Sequence, residues 1–290
     1  MNYEEQNNVN GIPQGSSSAA VALVELYRDA GKRNLIAAEQ PAQDLDKSNS
    51  KPQDREVFRA EKVNIRFGWN ASILRNFTWT GYEGLNIIVG PSGSGKSTLM
   101  KVLAGLLRPD SGRVFLDRQV VPYEDDLDSR LFLRDKVAFI HQDRHLIPHL
   151  SSIENVALPL RIQGVPKGEA LERAEDMLTR LGIKNLHQRF HLSGGEELRV
   201  ALGRALIGTA KVIFADEPTG SLDQDRSNSV MQQFKDLVSK EKKSVLLVTH
   251  NRLLAREFGD HIFEMGQGSL KPLAPVNVPN AVNSPGKNRT

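Results

Sequence analysis

Gly90-Pro91-Ser92-Gly93-Ser94-Gly95-Lys96-Ser97 fills the pattern G-x-x-x-x-G-K-[ST], and its neighbours decide how it is read. The apolar run Leu85-Asn86-Ile87-Ile88-Val89 before it predicts a short buried strand, and Thr98 to Leu107 after it predicts a helix. A glycine loop in that setting holds phosphate. Glycines let the backbone curl until successive N–H groups converge on phosphate oxygens. The new helix adds its unpaired N–H groups and the positive end of its dipole. Lys96 is then placed to reach β- and γ-phosphates, and the Ser97 hydroxyl to ligate Mg²⁺.

The 290 residues suffice for one large domain or two small ones. A net charge of +3 is too slight to argue for nucleic acid, and no such partner is expected. Without cysteine there is no disulfide framework, thiolate metal site or cysteine nucleophile. No run approaches the ~18 consecutive apolar residues of a membrane-spanning helix. Met1-Asn2-Tyr3-Glu4-Glu5 is acidic where a signal peptide is basic. The expectation is a cytoplasmic chain that borrows any membrane part from another chain.

Residues 1–55 read as an extension rich in Asn, Gln, Ser, Asp and Lys, with flexible flanks. Ala19 to Tyr27 is amphipathic and predicts one helix, reaching to about Ala38, either loosely docked or partner-binding. A compact domain is expected over 56–271. Its strand candidates are Val57 to Phe67, Arg113 to Leu116, Val137 to Ile140, Lys211 to Ala215, Ser244 to Val248 and His261 to Met265. Helical patterns fall at Lys167 to Leu181, Gly194 to Ile207, Arg226 to Lys240 and Arg252 to Phe258. This alternation predicts an α/β fold with a parallel-sheet core. About 143–210 holds helices and no clear strand, so a helical insertion is expected there. Residues 272–290 read as a disordered tail.

Two further stretches carry chemistry. Lys211-Val212-Ile213-Phe214-Ala215-Asp216-Glu217-Pro218 is an apolar strand ending in two acids, stopped by Pro218. A carboxylate at that edge, beside a phosphate loop, holds Mg²⁺ through water; Asp216 suits the role. Successive strand residues face opposite ways, so Glu217 points elsewhere, to orient and deprotonate an attacking water. A base so positioned is worth about 10²- to 10⁴-fold in rate. Leu192-Ser193-Gly194-Gly195-Glu196 contains the capping box S-x-x-E with two glycines inside, opening a helix whose Leu198, Ala201, Leu202, Ala205 and Leu206 share a face. It is a second helix N-terminus suited to phosphate. His141, His145 and His149 are four apart, but Pro148 breaks the helix that would align them. They read as solvent-facing or partner-contact residues.

In this order the motifs resemble the ATP-binding-cassette (ABC) ATPases, over about residues 56–271. The resemblance implies a P-loop NTPase of ABC type, with a parallel-sheet core, an N-terminal antiparallel β part and an inserted helical subdomain. It implies ATP and Mg²⁺ as ligands. Gln142, after Val137-Ala138-Phe139-Ile140, looks like the Q-loop glutamine. Ser221-Leu222-Asp223 looks like the D-loop, and His250 like the switch histidine. Phe67, or Trp69 in its place, looks like the aromatic that stacks on adenine. The implied catalytic group is Glu217, His250 and Gln142, and the implied Mg²⁺ ligands are Ser97, Gln142 and Asp216. The implied nucleotide contacts are Phe67, Gly90, Pro91, Ser92, Gly93, Ser94, Gly95, Lys96, Ser97 and Thr98, with Ser193, Gly194, Gly195, Glu196 and Asp223. The family dimerises head to tail, so that the Ser193-Gly194-Gly195 turn of one copy caps the γ-phosphate held by Lys96 of the other. The implied partners are a second copy of the chain and an integral-membrane permease, which puts the chain on the cytoplasmic face of the inner (plasma) membrane.

Ser152-Ile153-Glu154-Asn155-Val156-Ala157-Leu158-Pro159-Leu160 and Pro218-Thr219-Gly220-Ser221-Leu222-Asp223 look most like the bacterial lipoprotein-releasing, macrolide-export and cell-division ATPases. An importer ATPase and a soluble ABC ATPase stay open as alternatives. One departure stands out. After Glu196 the family often reads Q-Q-R or R-Q-R, where this chain has Glu197-Leu198-Arg199. The extra acid carries negative charge toward the partner's nucleotide.

Overall fold

The structure, a computed structural model, describes residues 55–273 apart from 68–70, 125, 185, 188–191, 221 and 267. The expected helix near Ala19, the residues beyond 273, Trp69, Ser221 and the side chain of Phe67 lie outside the described residues.

Two sheets organise the chain. β1 (Glu56–Phe67) and β2 (Ala71–Tyr82) pair antiparallel, and β4 (Ser111–Leu116) and β5 (Gln119–Val120) extend them in the order β2-β1-β4-β5. The second sheet contains β3 (Leu85–Val89), β6 (Val137–Ile140), β7 (Val212–Asp216), β8 (Ser244–Thr249), β9 (His261–Gly266) and β10 (Ser269–Leu273). Its order is β10-β9-β3-β8-β7-β6; all pairs are parallel except β10 with β9. β3 and β8 are buried at every position. Strands covered on both faces must be apolar throughout, which explains their unbroken Leu/Ile/Val runs.

Seven helices follow among the described residues: α1 (Lys96–Leu103), α2 (Leu127–Lys136), α3 (Ser152–Ile162), α4 (Lys167–Arg180), α5 (Gly194–Leu206), α6 (Gln224–Glu241) and α7 (Arg252–Phe258). Alternate residues of the parallel strands feed two cores. Ile88, Phe214, Leu246 and Val248 pack with α1 and the antiparallel sheet. Ile87, Val89, Ile213, Ala215 and Leu247 pack with α5, α6 and α7. A third cluster unites α3, α4 and the other side of α5 through Val156, Leu160, Ala174, Leu178, Val200 and Ile207. α5 thus belongs to both the sheet and the helical part.

The antiparallel sheet, the mixed and mostly parallel core sheet and the helical subdomain are the architecture that the resemblance implies. Several boundaries differ. The helix expected to reach Leu107 ends at Leu103, because Gly105 turns left-handed (φ 79°) and the N–H groups of Leu106 and Leu107 fold back onto Lys101 O. Pro272 and Leu273, read as tail, lie in β10 opposite Phe263 and Ile262. An edge strand tolerates a proline because one row of its N–H groups has no strand to bond.

Candidate functional site

The register brings the motifs to one edge. Val89 lies beside Thr249, Asp216 beside Val248, and Ile140 beside Ala215. The loop after β3, His250 after β8, Asp216 and Glu217 at the end of β7, and Gln142 two residues past β6 therefore leave the sheet together. Crevices outside the carboxyl ends of parallel strands are where α/β proteins bind ligands.

The loop 90–97 is fixed by its glycines. A Cβ on Gly90 would stand 2.5 Å from Met265 O, and one on Gly95, which caps α1 at φ 96°, would stand 2.7 Å from Ile73 Cγ2. Lys96 is buried, and its ammonium donates to Gly90 O (2.9 Å) and Pro91 O (2.8 Å). A buried cation needs such partners. Ser97 Oγ donates to Asp216 Oδ1 at 3.0 Å, across 119 residues of sequence. Burial holds the Asp216 carboxyl above the usual carboxylate range; the Ser97 hydroxyl pulls the other way and the Glu217 charge adds to the rise.

Glu217 has left-handed backbone (φ 47°), and its N–H donates to Val248 O at 3.0 Å. That turn away from β7 sends its carboxylate to His250, with Oε2 3.0 Å from Nδ1 and 3.4 Å from the backbone N. The Glu217 side chain is 16% exposed, the His250 side chain 64%. A sheltered acid held by an open imidazole has the geometry of a base oriented by a second residue.

The Ser193 turn stands apart. Ser193 Oγ accepts from the Glu196 N–H (3.3 Å), and Glu196 Oε2 accepts from the Ser193 N–H (2.8 Å) and hydroxyl (2.8 Å), a complete capping box on α5. These bonds hold the Glu196 carboxyl below its ordinary range. None of them reaches residues 90–97 of the same chain. Asp223 caps α6, accepting from the Arg226 N–H at 2.9 Å. Phe67 ends β1, its backbone paired with Ala71.

Some residues of the site escaped sequence reasoning. Buried Asn155 bonds Ile147 O, Leu150 O and Ser151 O through Nδ2 and accepts from the Ile147 N–H, so it pins the stretch after Gln142 onto α3. Arg204 on α5 donates to Arg144 O (2.9 Å) and His145 O (2.7 Å), residues held left-handed at φ 58° and 43°. Such backbone costs about 1 kcal/mol or more per residue, so it persists only where neighbours impose it. His141, expected to face solvent or contact a partner, is partly buried between the rings of Phe139 and His145, each 4.3 Å away by centroid. Burial lowers its pKa to about 4, with the neighbouring cations adding to the effect.

A phosphate loop, a Ser–Asp pair beneath it and a sheltered acid beside it, all at one parallel-sheet edge, define a P-loop nucleoside triphosphatase. The sequence profile of the ABC transporter family matches residues 74–220. A lipoprotein-releasing system ATP-binding protein LolD from Maricaulis maris is 44% identical over 191 residues, 65% of this chain and 83% of the relative. The LolD of Aquifex aeolicus is 39% identical over 219 residues, 74% of this chain and 96% of the relative. Among solved structures, the ATP-binding cassette MJ0796, a dimer in a post-hydrolysis state bound to ADP and Pi, superposes with a TM-score of 0.66 at 33% identity, covering 74% of this chain and 96% of that one. The chain belongs to the ABC transporter family, as an ATP-binding and ATP-hydrolysing subunit.

Proposed function

We propose that the chain powers an export or mechanotransmission system of the lipoprotein-releasing class, working with a separate permease at the cytoplasmic face of the membrane. Likeness to LolD proteins over nearly their whole length carries this reading. No described helix is long and apolar enough to cross a membrane.

The chemistry divides among its residues. The backbone of Gly90 to Thr98 and the ammonium of Lys96 hold the β- and γ-phosphates of ATP. Paired hydroxyl and carboxylate oxygens 3.0 Å apart suit a hard divalent cation, so Ser97 directly and Asp216 through water would hold Mg²⁺, joined by Gln142. Bound there, Mg²⁺ neutralises charge on the transferring phosphoryl group. Burial disfavours charge on Asp216, a charge that a cation bound beside it would favour. Glu217 orients the attacking water and takes its proton; His250, 3.0 Å away, fixes the carboxylate. Phe67 or Trp69 stacks on adenine. The Ser193–Gly195 turn, with Glu196 in its cap, completes the ATP site of a second copy, and Asp223, at the start of α6, adds a further nucleotide contact. This accounts for a turn with open backbone N–H groups that bonds no part of its own phosphate loop.

The test is purification of the Glu217→Gln protein with ATP from detergent-solubilised native membranes. The variant should bind ATP without turning it over, and should bring down, in stoichiometric amount, a permease with few spans and a large extracytoplasmic domain. A many-span permease with a solute-binding protein would make it an importer. Recovery of cytosolic chains alone would end the transport reading while leaving the ATPase intact.

A further inference from the structure

Glu197, the acid that departs from the family pattern, does not point freely at solvent. Its Oε2 lies 3.4 Å from Arg144 Nη1. Arg144 stands two residues past Gln142, on the loop that leaves β6. Its side chain is only 15% exposed, against 41% for Glu197, so salt and water screen this pair less than an open surface pair. A lone cation at a helix N-terminus opposes the dipole; an acid in the first turn offsets it. The guanidinium also covers the glycine turn, with Nη2 3.6 Å from where a Cβ on Gly194 would stand. From the same helix, Arg204 grips the main chain of Arg144 and His145. α5 therefore holds the Gln142 loop twice, once by backbone and once by side chain.

We propose that Arg144 and Glu197 form a clasp that sets the Ser193–Gly195 turn against the Gln142 loop of the same chain. One unit then presents Gln142 to the ATP of its own site and the turn to the ATP of the second copy. A displacement of either loop moves both, which links the two ATP sites through each chain. Arg144 is a positioning residue here, and the proposal rests on the head-to-tail reading above.

The clasp is tested in the full-length Glu217→Gln background, where ATP-driven dimerisation is read by sedimentation and ATP binding to the dilute monomer by a fluorescent analogue. Arg144→Gln and Glu197→Gln should each weaken dimerisation about tenfold while leaving monomer binding within about twofold. The double variant should be no worse than either single, and the exchange Arg144→Glu with Glu197→Arg should restore most of the loss. A pair acting only through charge gives a different signature: Glu197→Gln would strengthen dimerisation and Arg144→Gln would weaken it. Opposite signs, additive losses or no change would each overturn the clasp. Failure of the Glu217→Gln parent to dimerise with ATP would instead remove the head-to-tail reading, and the clasp with it.

Discussion

At the scale of single residues, Lys96 is a cation held in place before any ligand arrives. It is buried, yet its ammonium has two carbonyl partners in its own loop. On the proposed role of the loop, binding ATP exchanges those carbonyls for phosphate oxygens and replaces neutral acceptors by charged ones. The ammonium already lends its charge to the carbonyl bonds, and an anionic acceptor adds the attraction of opposite charges. Lys96→Ala should therefore cost about 3 kcal/mol in ATP binding, roughly two decades of affinity by equilibrium titration. Lys96→Arg should rescue little, since a planar fork does not fit a site built around a point charge. Retention of parental affinity by Lys96→Ala would show that backbone N–H groups alone hold the phosphates. Asp216 and Glu217 illustrate the same economy of position. Adjacent in sequence, they are turned apart by one left-handed residue, so that one carboxylate meets Ser97 and the other His250.

At the scale of elements, α5 repays attention because its first turn does two jobs. Its capping box satisfies N–H groups that a helix otherwise leaves orphaned, and its glycines leave others open. Ser193→Ala should cost about 1 kcal/mol of stability at neutral pH. The cap also depresses the Glu196 pKa, so its contribution is present above the ordinary glutamate value and is lost as pH falls through the lower folded value. The gap between parent and variant in urea unfolding should therefore narrow on acidification to the part carried by the Ser193 Oγ bond from the Glu196 N–H; a gap that does not change with pH would mean that the Glu196 carboxylate takes no part. α5 was legible in the sequence because its cap and its apolar face announce themselves together. So were β3, β7 and β8, buried on both faces. β2 was not assigned. Only one face of it is buried, Arg75, Asn76 and Thr78 lie exposed, and Asn76 at φ 47° interrupts the alternation. α2 was missed because it buries only Ser129, and α3 because Pro159 sits inside it. The motif residues of the site were legible as motifs. Asn155, Arg144 and Arg204 were not, because each matters through a contact 8 to 60 residues away that no local pattern encodes.

At the scale of the whole molecule, one chain carries one phosphate loop and one Ser193 turn, and the fold keeps them on different parts. An aromatic series ties the antiparallel sheet to the core: Trp79 stacks on Phe58, Phe58 meets Phe214 edge-on, and Phe214 stacks on Phe139. The helical part is joined through α5 and the loop after β6, so the turn is carried by a body with its own small core. If sites form between chains, two different defects should complement. Lys96→Ala spoils the phosphate loop and keeps the turn, whereas Ser193→Arg keeps the loop and obstructs the turn. Neither variant should dimerise with ATP by itself in the Glu217→Gln background. Mixed, they should form heterodimers with one intact site, made of the loop from the Ser193→Arg chain and the turn from the Lys96→Ala chain. Energy transfer between differently labelled variants reads this directly. An ATP-dependent signal in the mixture, and in neither variant alone, is the outcome that only a shared site produces. Were each chain to complete its own site, every site in the mixture would carry a defect and mixing would restore nothing.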